Sequence, residues 1–154
     1  MDVPILLANI SVTGTLLGAV TGGIGIFYGN LYLARRREEL EFRTACRLVA
    51  AELQDNYLVV QYGLEKRLWW RSDEELKTEE WKQYKSVLAP CLTYDALVDL
   101  KFAVRSVNNA SLIAAAPRPL DKPDEIFLEP TVQALTLLLK DVKKGRDSLK
   151  PYLL

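Results

Sequence analysis

The stretch that decides the fold is Gly14–Gly29, GTLLGAVTGGIGIFYG, which holds six of the chain's eight glycines. Glycine inside a water-soluble helix costs about 1 kcal/mol against alanine. Its concentration in an apolar run therefore needs a reason. The surrounding sequence supplies one. Ile5 to Leu33 reads ILLANISVTGTLLGAVTGGIGIFYGNLYL, and no charged side chain lies between Asp2 and Arg35. About 20 apolar residues cross a bilayer core, and this run is longer. Its serine and threonine hydroxyls can bond back to helix carbonyls. Asn9 and Asn30 sit near the ends, and Tyr28 and Tyr32 suit an interface beside the arginines. The pattern predicts a transmembrane anchor over residues 1–34.

A cleaved signal peptide is the competing reading, but it requires positive charge before the apolar run. Here Asp2 precedes the run and Arg35-Arg36-Arg37 follows it. The positive-inside rule then predicts a single-pass protein, N-terminus outside and C-terminal domain cytoplasmic.

In a helix that turns about 100° per residue, Gly14, Gly18, Gly22, Gly25 and Gly29 share an arc of roughly 80°, with Ser11 on the same arc. Gly23 alone faces away. Lipid tails are as apolar as leucine, so helices associate in a membrane by close packing, and small residues let two backbones approach. The stripe is expected to be a helix-packing interface with another copy or with a partner's span. The blander alternative is that membrane helices are simply richer in glycine than soluble ones.

Residues 35–154 are expected to form a cytoplasmic helical domain. Apolar side chains at Phe42, Cys46, Val49, Leu53, Tyr57, Val60, Leu64 and Leu68 recur on one side of a long amphipathic helix. Continuous from Arg35 to Trp70, it would reach about 50 Å. At that distance Trp69 and Trp70 suit the far end of a bundle core, or a partner anchor. Ser72 with Glu75 forms a capping box, and Thr78 is a further expected cap, opening EEWKQYKSVLA. Pro90 ends that helix. Thr93 is expected to cap the next, whose apolar face includes Leu97, Leu100, Val104 and Val107. The proline-rich stretch 117–130 reads as a loop, with a ligand for an aromatic groove as the alternative. Pro130 suits the first turn of a last helix, with Val132, Leu135, Leu138, Leu139 and Val142 on its apolar face. The predicted class is all-α: one transmembrane helix, then an antiparallel bundle of three to four helices.

In such a bundle the last helix would return toward the membrane. Lys143, Lys144 and Arg146 would then join Arg35, Arg36 and Arg37 as membrane-surface basic residues, each worth about 1 kcal/mol near anionic headgroups. Alternatively they complement their own helix dipole.

The composition excludes much chemistry. There are 20 basic and 20 acidic side chains and no histidine. Histidine-based nucleophile pairs, general bases and metal ligands are therefore ruled out, and no net field recruits nucleic acid. Cys46 and Cys91 lack CxxC spacing, and both read as small apolar core residues rather than a redox pair. The acidic clusters sit mostly at helix starts, where negative charge suits the dipole. No phosphate-cradling loop or calcium loop occurs. No cofactor, metal site, nucleic-acid groove or small-molecule substrate is expected.

One resemblance adds to this. The glycine-rich span, the basic stop and FRTACRLVAAELQDNYLVV, with Arg43, Ala45, Arg47-Leu48-Val49, Glu52-Leu53 and Asn56 before a Trp-bearing turn, resemble small single-pass membrane proteins of actinobacteria and their phages. The resemblance covers residues 30–90. It implies the bacterial plasma membrane and no activity. The expectation is a non-enzymatic, membrane-anchored interaction or accessory protein whose partners are the lipid bilayer and a transmembrane helix. A homo-oligomeric, holin-like pore is the alternative.

Overall fold

The computed structural model describes residues 3–68, 76–115 and 129–153, with side chains from residue 22 onward. The helices are α1 (Val3–Lys66), α2 (Glu79–Leu88), α3 (Tyr94–Ala114) and α4 (Glu129–Leu149), with a 3-10 turn over Lys150–Tyr152. No β-strand occurs among the described residues, and the chain is all-α. It divides into two units, residues 1–40 and 41–154. The first unit is the N-terminal part of α1. Among the described residues, no helix is long and apolar enough to cross a membrane. Of the apolar run from Ile5 to Leu33, only the side chains of 22–33 lie within the described set, which is shorter than the about 20 residues a bilayer core needs.

The second unit is an up-down-up-down bundle, and the polar contacts give its directions. On α1, Glu52 and Asn56 meet residues 80 and 77 respectively, so α2 runs antiparallel to α1. Ser106 meets Asp141 and Asp99 meets Lys144, so α3 and α4 are antiparallel. Arg146 meets Gln54, and Tyr152 meets Phe42, which sets α4 antiparallel to α1. The core holds Cys46, Val49, Leu53 and Val60 from α1, Leu88 from α2, Leu100, Ala103 and Val107 from α3, and Leu135, Val142 and Leu149 from α4. These are the residues their helical periodicity places on one face. Each fully buried Val or Leu contributes about 1.5–3 kcal/mol of transfer free energy.

Several local expectations need correction. The long helix stops at Lys66, short of Trp70. Arg67 takes the left-handed conformation (φ 57°), and its N–H bonds the Leu64 carbonyl at 3.3 Å while the Leu68 N–H bonds Gly63 at 3.0 Å. That is a Schellman stop with arginine where glycine usually sits. Leu68 is consequently turned out of the stripe and exposed. Trp69, Trp70 and the Ser72–Glu75 box lie outside the described residues. Thr93 caps α3 as expected, its hydroxyl oxygen accepting the Ala96 N–H at 3.4 Å. Thr78 makes no side-chain cap to α2; its hydroxyl donates to Asn108 Oδ1 at 3.4 Å instead. Cys46 is fully buried, but Cys91 is exposed. It lies in the connection after Pro90, where Leu88 and Leu92 take the inward positions.

Candidate helix-packing surface

Two kinds of helical glycine occur in this chain, and the space around each distinguishes them. At Gly145 an added Cβ would lie 2.5 Å from the Ala103 Cβ and 3.1 Å from the Asp99 carbonyl oxygen. That glycine is filled: α3 and α4 approach so closely there that no side chain fits between them. At Gly22, Gly25 and Gly29 an added Cβ would meet nothing within 4 Å. Gly23, on the other side, is equally open. Gly14, Gly18 and Ser11 lie where side chains are not described.

The helix around the open glycines is apolar on every side. Ile24, Ile26, Phe27, Tyr28, Leu31, Tyr32 and Leu33 are all exposed. The Phe27 and Tyr28 rings touch edge to face at 5.8 Å but shield little of one another. A helix apolar all round belongs in an apolar medium, a protein core or a bilayer. A contiguous exposed apolar surface of this kind marks an interaction or membrane site. Arg35, Arg36 and Arg37 follow immediately and are exposed.

The C-terminal basic residues divide. Lys143 is exposed. Lys144 Nζ lies 2.7 Å from Asp99 Oδ1 across the α3–α4 contact, and that hydrogen bond, then the Asp99 charge, raises its pKa. Arg146 points into the bundle rather than out of it. Its guanidinium donates to the Gln54 side chain, bonds Asp147 Oδ1 at 3.0 Å and lies over the Tyr57 ring. Its planar fork suits this bridging role between α1 and α4. Of the three, only Lys143 keeps its charge clear of a described partner.

Other polar groups in the bundle have structural roles that periodicity alone does not indicate. Glu52 is buried and accepts the Glu80 N–H at 3.0 Å and the Trp81 N–H at 3.3 Å. Asn56, also buried, pairs with both backbone groups of Lys77, accepting its N–H at 2.9 Å and donating to its carbonyl at 2.7 Å. Together they fix the start of α2 on α1. Gly145 had a readable signal: it falls three residues after Val142 and four before Leu149, on the apolar stripe. Among the described residues, no group of three acidic or cysteine side chains converges to hold a metal ion. Every buried side-chain polar atom among them has a partner. The chain matches no protein-family model, no curated protein and no solved structure.

Proposed function

We propose that this chain is a non-enzymatic, membrane-anchored interaction protein. The N-terminal part of α1 lies in the bacterial plasma membrane, N-terminus outside, and the bundle of residues 41–153 lies on the cytoplasmic side. The glycine face packs against a transmembrane helix of another copy or of a partner. The observation that carries this reading is the open space over Gly22, Gly25 and Gly29 on a helix with exposed apolar side chains all round. An unfilled small-residue face in an apolar medium is a site for a second backbone. The Arg35–Arg37 run supports the orientation.

Crosslinking in intact membranes, followed by purification in mild detergent, tests the reading. A second chain attached through residues 22–29, the same protein or another, supports it. Recovery as a lone chain, or in the fraction released from membranes by alkaline carbonate, overturns it.

A further inference from the structure

Two outer faces of the bundle carry exposed apolar side chains, and they differ in charge. On α1, Leu48, Leu58 and Tyr62 are exposed. With Ala51 and Asp55 they follow the alternating three- and four-residue spacing of a helix-packing seam. That seam lies opposite Val49, Leu53 and Val60, which enter the core. On α3, Phe102 and Leu112 are exposed. They share the side opposite Leu100, Ala103 and Val107 with Val98 and Arg105, and Lys101 borders it. Asp55, Lys101 and Arg105 are exposed, and none belongs to an ion pair among the described residues.

The two faces also match in length and point away from each other. Asp55 lies seven residues from both Leu48 and Tyr62, and Arg105 lies seven from both Val98 and Leu112. Each seam spans about 21 Å with its charge at the centre. Contacts link α1 to the start of α2 (Glu52–Glu80), that start to α3 (Thr78–Asn108), α3 to α4 (Asp99–Lys144) and α4 back to α1 (Arg146–Gln54). α1 and α3 are therefore diagonal in the bundle and parallel, with outer faces on opposite corners.

We propose that the outer face of α1 docks on the outer face of α3 in a second copy of this chain. Copies anchored in one membrane point the same way, so the two helices meet in parallel; that orientation rests on the membrane reading above, whereas the charge match does not. In parallel, Leu48 faces Val98, Asp55 faces Arg105 and Tyr62 faces Leu112. Pairing α1 with α1 would set Asp55 against Asp55, and pairing α3 with α3 would set Arg105 against Arg105. Like charges so placed reject both alternatives. The contact is head-to-tail, so each copy keeps a free face for the next, and copies add in a row or ring.

The test uses the full chain carrying Gly22→Leu and Gly25→Leu, purified in mild detergent and measured by sedimentation. Those two substitutions take the glycine face out of the count, so this proposal and the membrane reading fail separately. The chain is expected to assemble through its bundle. Asp55→Arg or Arg105→Asp, each added alone, should weaken assembly about tenfold or more. An equimolar mixture of the two should recover it, because each offers the face that the other needs. A monomer before these changes, undiminished assembly by either variant, or a mixture no stronger than its components would overturn the proposal. Carbodiimide coupling of isotopically light and heavy chains reads the same contact with the charged residues intact. An Asp55–Lys101 peptide joining a light chain to a heavy one is expected, and its absence contradicts the proposal.

Discussion

Glu52 caps a helix that begins in a distant part of the chain: its carboxylate accepts the backbone N–H of Glu80 at 3.0 Å across 28 residues of sequence. With the Trp81 N–H on the second oxygen, one buried side chain satisfies two of the amides that open α2. The carboxylate also lies at the positive end of that helix dipole. Glu52→Ala leaves those part-buried amides without their carboxylate acceptor, so the bundle should lose about 1–3 kcal/mol. Glu52→Gln keeps an acceptor but loses the charge and should fall between. Urea denaturation followed by circular dichroism checks both. Equal stability of all three would show that water serves these amides equally well.

Gly145 is where α3 and α4 touch backbone to backbone. Gly145→Ala places a methyl group 2.5 Å from the Ala103 Cβ, so the helices must separate. Such overpacking should cost about 1–3 kcal/mol. Combining it with Ala103→Gly removes the nearer clash and should recover part of the loss. The Asp99 carbonyl oxygen at 3.1 Å prevents full recovery. A double-mutant cycle on unfolding free energies reads the coupling. Simple additivity would place the close contact elsewhere.

Arg67 holds a left-handed backbone where glycine is at ease. Arg67→Gly should stabilise the chain by about 0.5–1 kcal/mol, the relief of strain outweighing the added freedom of the unfolded state. Arg67→Val should do the reverse, because a β-branched residue resists positive φ. A higher melting temperature for the glycine variant than for wild type is the expected readout.

Asp147 ties the last turn of α4 together. Hydrogen bonds from Arg146 and Lys150 hold its carboxyl below the ordinary aspartate value. Its folded pKa is lower than its unfolded one, so its contribution is fully present above about pH 4 and is lost as pH falls through the folded value. Asp147→Asn should therefore lower stability above about pH 4 by a small amount, since the pair is half exposed, and flatten the acid limb of a stability–pH curve by that same amount. Parallel acid limbs for the two proteins would contradict this.

Much of the bundle is legible as periodicity. The stripes on α1, α3 and α4 pick out Val49, Leu53, Leu100, Val107, Leu135 and Val142, all buried, because burial of one helix face is a local property of spacing. The Thr93 cap is legible for the same reason: its partner is three residues away. Where the determinant is distant, local reading fails. Thr78 has the chemistry of a cap, yet Glu52 takes that role from another helix. Arg146 reads as a surface cation, yet Gln54 and Tyr57 draw it inward. Cys91 reads as apolar, yet its place in the connection after Pro90 leaves it exposed. The end of α1 escapes for a different reason: arginine carries no sequence signal for a left-handed stop. At the candidate interface the stripe of Gly22, Gly25 and Gly29 is legible as a face, and the structure shows the space over it open.

The central claim, that this face packs against a second helix, is tested most directly by crosslinking in membranes that carry wild type, Gly22→Leu, Gly25→Leu or Phe27→Leu. Phe27 lies on the opposite side of α1 and serves as the control. A crosslinked species formed by wild type and Phe27→Leu, and lost in both glycine variants, is the predicted result. A species that persists unchanged when leucine fills the open space over Gly22 and Gly25, or its absence from wild type, would contradict the account.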